Sequence, residues 1–184
     1  MQRLGFTEGW ISRVTGCVTT PTFSVLINGK PYGHIQPSRG IRQGDPLSSY
    51  LFLLCAEGFT SLLARVELEG RIHGVAICRR APQISNLLFA DDSLLFCKAS
   101  SNEAEEIADI LQVYAKASGQ SINLEKSSML FSTNTPCDKK EEIKEALGVK
   151  EVDRFETYLG LPTLIGRAKY QTFSYVKDRV WKKL

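Results

Sequence analysis

Two adjacent aspartates, Asp91 and Asp92, stand inside an otherwise apolar run, Ile84 to Cys97, which reads ISNLLFADDSLLFC. Like charges this close repel, and burying them is costly. A divalent cation removes that cost. Mg²⁺ takes carboxylate oxygens and usually completes its shell with water and substrate phosphates. Two such ions about 3.5–4 Å apart clamp the attacking and leaving oxygens of an in-line displacement. The plain alternative is a hairpin turn whose two carboxylates are simply solvated.

A second segment with chemical potential is residues 39–52, RGIRQGDPLSSYLF. Two glycines make it flexible, and Arg39 and Arg42 make it basic. It feeds a helix N-terminus, where backbone N–H groups and arginines suit a phosphate or a nucleotide. Its plain alternative is a capped helix with a solvated basic loop. Elsewhere the chemistry is sparse. The two histidines, His34 and His73, are far apart, which argues against a His-based zinc site or a Ser-His-Asp triad. The five cysteines form no CxxC pair. Cys55 and Cys97 lie in apolar runs and read as small buried thiols, and a reduced, intracellular protein fits best.

These residues need elements to hold them. Residues 7–18 suggest a short helix. Residues 22–28 and 31–36 flank Asn28-Gly29 and predict a tight hairpin. Asp45 suits an N-cap and Pro46 the first helical position. The segment 46–69 is apolar nearly all round, which predicts a buried helix ended by Gly70. Residues 71–78 read as a strand. The runs Ile84–Ala90 and Ser93–Cys97 predict a hairpin turning at Asp91-Asp92. Residues 102–118 predict an amphipathic helix with Ala104, Ile107, Ala108, Leu111 and Tyr114 on one face and acids crowding its first turns. Strands near 121–124 and 128–132, a charged helix from Asp138 to Leu147 and a helical end at 169–184 complete the chain. That end is basic, with Lys177, Arg179, Lys182 and Lys183. The pattern argues α+β, an antiparallel sheet covered by helices.

The ordered motifs resemble one family. Phe89-Ala90-Asp91-Asp92 between strands resembles the [FY]xDD motif of reverse transcriptases of LINE-type (non-LTR) retrotransposons. Arg39, Gly40, Gln43, Gly44, Asp45, Pro46, Leu47 and Ser48 match that family's (R)GxxQGxPLSPxLF pattern, with Ser49 where proline is frequent. Ser118 to Ser127 is similar to its SGLxINxxKS segment, and Tyr158-Leu159-Gly160-Leu161-Pro162 to its YLGxP pattern. The resemblance runs from about residue 4 to the end. It implies an incomplete palm-like antiparallel sheet with covering helices over 1–135. The palm's end and the start of a helical thumb would occupy 136–184. It implies that Asp91 and Asp92 bind Mg²⁺, or Mn²⁺ in its place. Arg39, Gln43, Gly44, Phe89 and Ala90 would lie along nucleotide and template. Lys126 would act as an acid for the leaving pyrophosphate. Tyr158, Leu159 and Gly160 would lie near the primer. The implied partners are an RNA template, a DNA primer and deoxynucleotide triphosphates, and the implied location is nuclear.

The family's palm uses a third carboxylate from an upstream strand. Residues 1–44 contain no aspartate, and Glu8 is their only acid. The reading is therefore an N-terminally truncated domain, inactive as an isolated chain. The competing reading is a non-catalytic retrotransposon relic that binds nucleic acid or a protein partner. Self-association through an exposed palm edge is a further expectation. A net charge of +3 neither demands nucleic acid nor excludes it. With 43% hydrophobic and 23% charged residues, the 184-residue chain can build a core and is neither disordered nor fibrous. The longest uninterrupted apolar run, Tyr50 to Ala56, is far short of the roughly 20 residues that span a bilayer, so no membrane is expected.

Overall fold

The computed structural model describes residues 1–38, 40–154, 157–158, 161–162 and 169–182. They form two compact units, Met1–Ile122 and Asn123–Leu184. Arg39, Leu159, Gly160 and Lys183 lie outside the described residues.

The first unit opens with a short 3-10 turn and helix α1, Glu8–Thr19, capped by the Thr7 hydroxyl. Phe6 and Trp10 stack at 4.3 Å across the start of α1. Strands β1 (Phe23–Ile27) and β2 (Lys30–Ile35) pair antiparallel with Val25 opposite Tyr32. Their turn is Asn28-Gly29, both at positive φ (51° and 75°), as the Asn-Gly dipeptide predicts.

Helix α2, Pro46–Leu68, starts where Asp45 and Pro46 indicate: the Asp45 carboxylate accepts the Leu47 N–H at 2.8 Å. Gly70 at φ 70° follows its end. The expected burial does not hold. Only Phe59, Leu63 and Val66 are buried, a stripe at i, i+4 and i+7 that faces helix α3 and strand β3. Other residues of α2, among them Leu51, Phe52 and Leu54, are half-buried, and Tyr50, Leu53 and Leu68 are exposed. Counting uninterrupted runs also understated this segment. By length and composition α2 is long and apolar enough to cross a membrane.

Strands β3 (Asn86–Phe89) and β4 (Asp92–Leu95) form the second hairpin. Residues 71–78 are not a strand; only Val75 forms a bridge, to Ile84. Gly74 explains the tight passage there. A Cβ on it would overlap the Ile84 carbonyl and sit 2.8 Å from the Ser85 nitrogen. Helix α3, Ser101–Ser118, is amphipathic and ends at Gly119 in the left-handed region. Its buried stripe is Ala104, Ile107 and Ile110, and Phe59 of α2 meets Tyr114 of α3 at 4.7 Å.

In the second unit the expected strand at 121–124 is absent, and a turn over Asn123–Ser127 takes its place. Strand β5 (Ser128–Met129) pairs parallel with β6 (Lys150–Glu151), joined by helix α4 (Cys137–Leu147). Strands β7 (Thr157–Tyr158) and β8 (Leu161–Pro162) pair antiparallel, and helix α5 spans Lys169–Trp181. The class is α+β. The sheets are small, however: the described strands make four separate two-stranded sheets, not one sheet covered by helices. Cys97 also departs from its expectation and is exposed, while Cys55 is half-buried.

Candidate active site

Asp91 and Asp92 sit at the tip of β3–β4. The ladder pairs Asn86 with Leu95, Leu87 with Leu94, Leu88 with Ser93 and Phe89 with Asp92. The turn is therefore Ala90-Asp91, one residue earlier than the sequence suggests. Ala90 takes the positive φ (49°) that the first central position demands. Alanine there is strained, since its Cβ crowds the backbone. Asp92 becomes the first residue of β4. Both carboxylates are exposed, and among the described residues neither has a hydrogen bond or an ion pair. Their donors are hard oxygens, the kind Mg²⁺ takes, and two of them leave most of an octahedral shell to water and phosphate. No group of three or more metal-ligating side chains occurs among the described residues.

The base of this hairpin is anchored more firmly than its tip. The Phe96 N–H donates to the Ser85 carbonyl at 2.8 Å, extending the ladder by one step. Ser85 is buried, and its hydroxyl donates to Glu67 of α2 at 2.7 Å. Val75 and Ile84 exchange two backbone hydrogen bonds of 2.9 Å. Beyond β4, the Lys98 N–H donates to Glu103 of α3 at 2.9 Å. Glu103 also accepts the His73 N–H at 3.0 Å and lies 2.9 Å from His73 Nδ1. Beside it runs an exposed chain of ion pairs, Arg65–Glu69–Arg71–Glu106. Glu106 holds the Arg71 guanidinium above its ordinary value, and Arg65, then Arg71, hold the Glu69 carboxyl below its own.

The loop before α2 is built by a second set of bonds. Gly40 and Gly44 adopt φ of 83° and 84°. The Asp45 N–H donates to the Arg42 carbonyl at 3.3 Å, closing a turn over Gln43-Gly44. The Ser48 hydroxyl donates to the same carbonyl at 2.7 Å. The Arg42 guanidinium lies 5.5 Å from the centre of the Phe23 ring. Together with the end of α1, these residues line a cavity of about 290 Å³ that includes Phe23, Gly40, Arg42, Asp45 and Ser48. Asp91 and Asp92 are not among its lining residues.

In the second unit, Lys126 is exposed on the turn that Asn123 organises. The Asn123 side chain accepts the Lys126 N–H at 3.1 Å, and its carbonyl accepts the Ser127 hydroxyl at 2.8 Å. Tyr158 belongs to β7. Lys177, Arg179 and Lys182, at the end of α5, are exposed.

A family model described as reverse transcriptase (RNA-dependent DNA polymerase) matches residues 2–162. The chain belongs to the reverse transcriptase family. Its relatives point to the LINE type. Over 128 residues it is 30% identical to a retrovirus-related Pol polyprotein from the type-1 retrotransposable element R2 of Popillia japonica. Over 114 residues it is 33% identical to the transposon TX1 uncharacterized 149 kDa protein of Xenopus laevis. Over 68 residues it is 52% identical to an uncharacterized mitochondrial protein of Arabidopsis thaliana. These stretches cover 69%, 62% and 37% of this chain, but 17%, 8% and 56% of the relatives. No solved structure matches it.

In this reverse transcriptase chain the residues that sequence reasoning overlooked are those that hold the hairpin. Glu103 read only as one of several acids favoured by the start of α3. Its signal was present in Ser100 and Glu103, the S-x-x-E spacing of a capping box. The Ser100 hydroxyl does accept the Glu103 N–H, at 3.4 Å. The carboxylate, however, reaches Lys98 and His73 in place of the cap's own N–H. Glu67, Ser85 and Gly74 carried no signal that a linear reading could use.

Proposed function

We propose that this chain is part of a reverse transcriptase palm whose reaction is RNA-templated transfer of deoxynucleotides onto a primer 3′ end. The observation that carries the reading is the position of Asp91 and Asp92 at an exposed two-residue turn, between strands fixed at their base. Asp91 and Asp92 would hold Mg²⁺ or Mn²⁺. When bound, such ions supply charge neutralisation at the transferring phosphoryl group. Gln43 and Gly44, on the turn that Asp45 closes, lie along the incoming nucleotide in this reading, and Arg39 and Arg42 supply cationic donors for phosphate or template. Phe89 and Ala90 set the approach to the two carboxylates. Lys126 protonates the leaving pyrophosphate. Tyr158, Leu159 and Gly160 border the primer, and the basic end of α5 begins the thumb, where backbone phosphates are contacted. A nuclear location follows from the same reading.

The isolated chain is proposed to be inactive. Two-metal chemistry in this family uses a third carboxylate, and Glu8, the only acid in residues 1–44, sits in α1 and not on a strand. A second reading is a non-catalytic relic that binds nucleic acid or a partner. Primer extension on a poly-rA template with Mg²⁺ or Mn²⁺, comparing the chain with its Asp91→Ala variant, is the test. No incorporation by either is expected. Extension by the parent but not by Asp91→Ala would mean that a carboxylate elsewhere completes the site, and would overturn the proposed inactivity.

A further inference from the structure

We propose that Glu103 is the positioning residue of the Asp91–Asp92 hairpin. The role assigned to the hairpin rests on the function proposed above; the mechanical claim does not. Glu103 is 6% exposed, and among the described residues no Lys or Arg pairs with it. A carboxylate so buried requires its hydrogen bonds, because each unmet one leaves charge desolvated. It finds them in two chain segments on either side of β3–β4. One carboxylate oxygen, Oε2, takes both the Lys98 N–H, three residues beyond the last residue of β4, and the His73 N–H. The other, Oε1, meets the His73 ring. His73 leads through Gly74 to Val75, which is bonded twice to Ile84, two residues before β3. One side chain thus ties both legs of the hairpin to the first turn of α3. Gly74 permits this, since any side chain there would collide with Ile84.

The tip itself has no such support. It has a strained Ala90 and two carboxylates without partners among the described residues. Where Asp91 and Asp92 point is therefore decided at the base. Two-stranded ribbons are flexible by themselves, so a clamp at the base is the physical means of holding a metal-binding tip in one place.

The test is residue-resolved amide exchange and Mn²⁺ titration of the full chain and its Glu103→Gln variant. Glutamine keeps the size but removes the charge, so the oxygen that both N–H groups share becomes a neutral, weaker acceptor. Exchange at Lys98 and at the β3–β4 amides is expected to accelerate roughly tenfold relative to Leu63 and Ile107, the loss of charge assistance in the bonds that hold the base. The Mn²⁺ concentration that broadens the Asp91 and Asp92 amides should rise with it. Asp92→Asn should abolish the broadening without changing exchange at Lys98. Unchanged exchange at the hairpin, or an equal rise throughout the first unit, overturns the clamp. If Mn²⁺ broadens neither aspartate in the parent, the metal reading fails, and the exchange comparison still decides the role of Glu103. Should Glu103→Gln not fold, His73→Ala removes only the ring arm. Faster exchange confined to Val75, Ile84 and the hairpin supports the proposal, and none there overturns it.

Discussion

Asp91 occupies the turn and Asp92 the first position of β4, so the two adjacent carboxylates are not equivalent. Asp92 is fixed by its pairing with Phe89, whereas Asp91 depends on the strained φ of Ala90. Replacing Ala90 with valine places a β-branched side chain in the left-handed region, where such residues are most crowded. Ala90→Val is expected to destabilise the first unit by about 1–3 kcal/mol in urea unfolding. At the other candidate segment, Asp45→Ala removes the acceptor of the Leu47 N–H, and a loss of about 1 kcal/mol is expected by the same measurement. Both changes act on local backbone geometry. Neither would disturb the Phe59–Tyr114 contact, which near-ultraviolet circular dichroism would report.

Helix α2 is the element on which the first unit depends. Its buried stripe is short, and Leu63 at its centre is fully buried between α3 and β3. Leu63→Ala should cost about 2–5 kcal/mol, whereas Leu53→Ala, on the uncovered side, should cost little. Comparing their thermal unfolding tests whether packing on α3 and β3 carries this helix. In the second unit, α4 is held to β6 by charge. Lys140 lies 2.6 Å from Glu151, and Lys144 lies 2.6 Å from Glu141 and 3.4 Å from Glu151. Lys140, first, holds the Glu151 carboxyl below its ordinary value, and Glu141, first, holds Lys144 above its own. A carboxyl depressed on folding stabilises above its unfolded value, and this contribution disappears as pH falls through the folded one. A raised lysine stabilises below its unfolded value, and its contribution is lost as pH rises through the folded one. The second unit should thus be most stable between the acidic and strongly alkaline ranges. Added salt should flatten the profile, because these groups face solvent. Helicity followed by circular dichroism against pH checks both limbs.

At the scale of the whole molecule, apolar surface is left uncovered. Val25, Leu26, Ile27, Tyr32 and Ile35 on β1–β2 and Tyr50 and Leu53 on α2 are exposed. Two-stranded sheets with free edges and apolar faces invite pairing. The chain should therefore self-associate with rising concentration in sedimentation velocity, and Leu26→Lys should reduce that association. A monomer at all concentrations would contradict it.

Much of this architecture could be read from local signals. The Asn28-Gly29 turn, the Asp45-Pro46 start of α2, the face of α3 and the Gly119 stop are chemistry of neighbouring residues, which a linear chain displays directly. The same holds for the aspartate pair and the glycine-arginine loop, whose order along the chain pointed to the family. Other features required the folded molecule. The hairpin turns one residue early because the ladder places Asp92 opposite Phe89, and pairing across strands decides register. Residues 71–78 look β-prone but are held by Gly74 against Ile84 and by the buried Glu103, through partners 10 and 30 residues away. The uncovered face of α2 follows the same logic. Its composition determined that it could be buried, and only the tertiary structure decided that α3 and β3 cover a single stripe, because burial depends on which elements arrive and not on the helix alone.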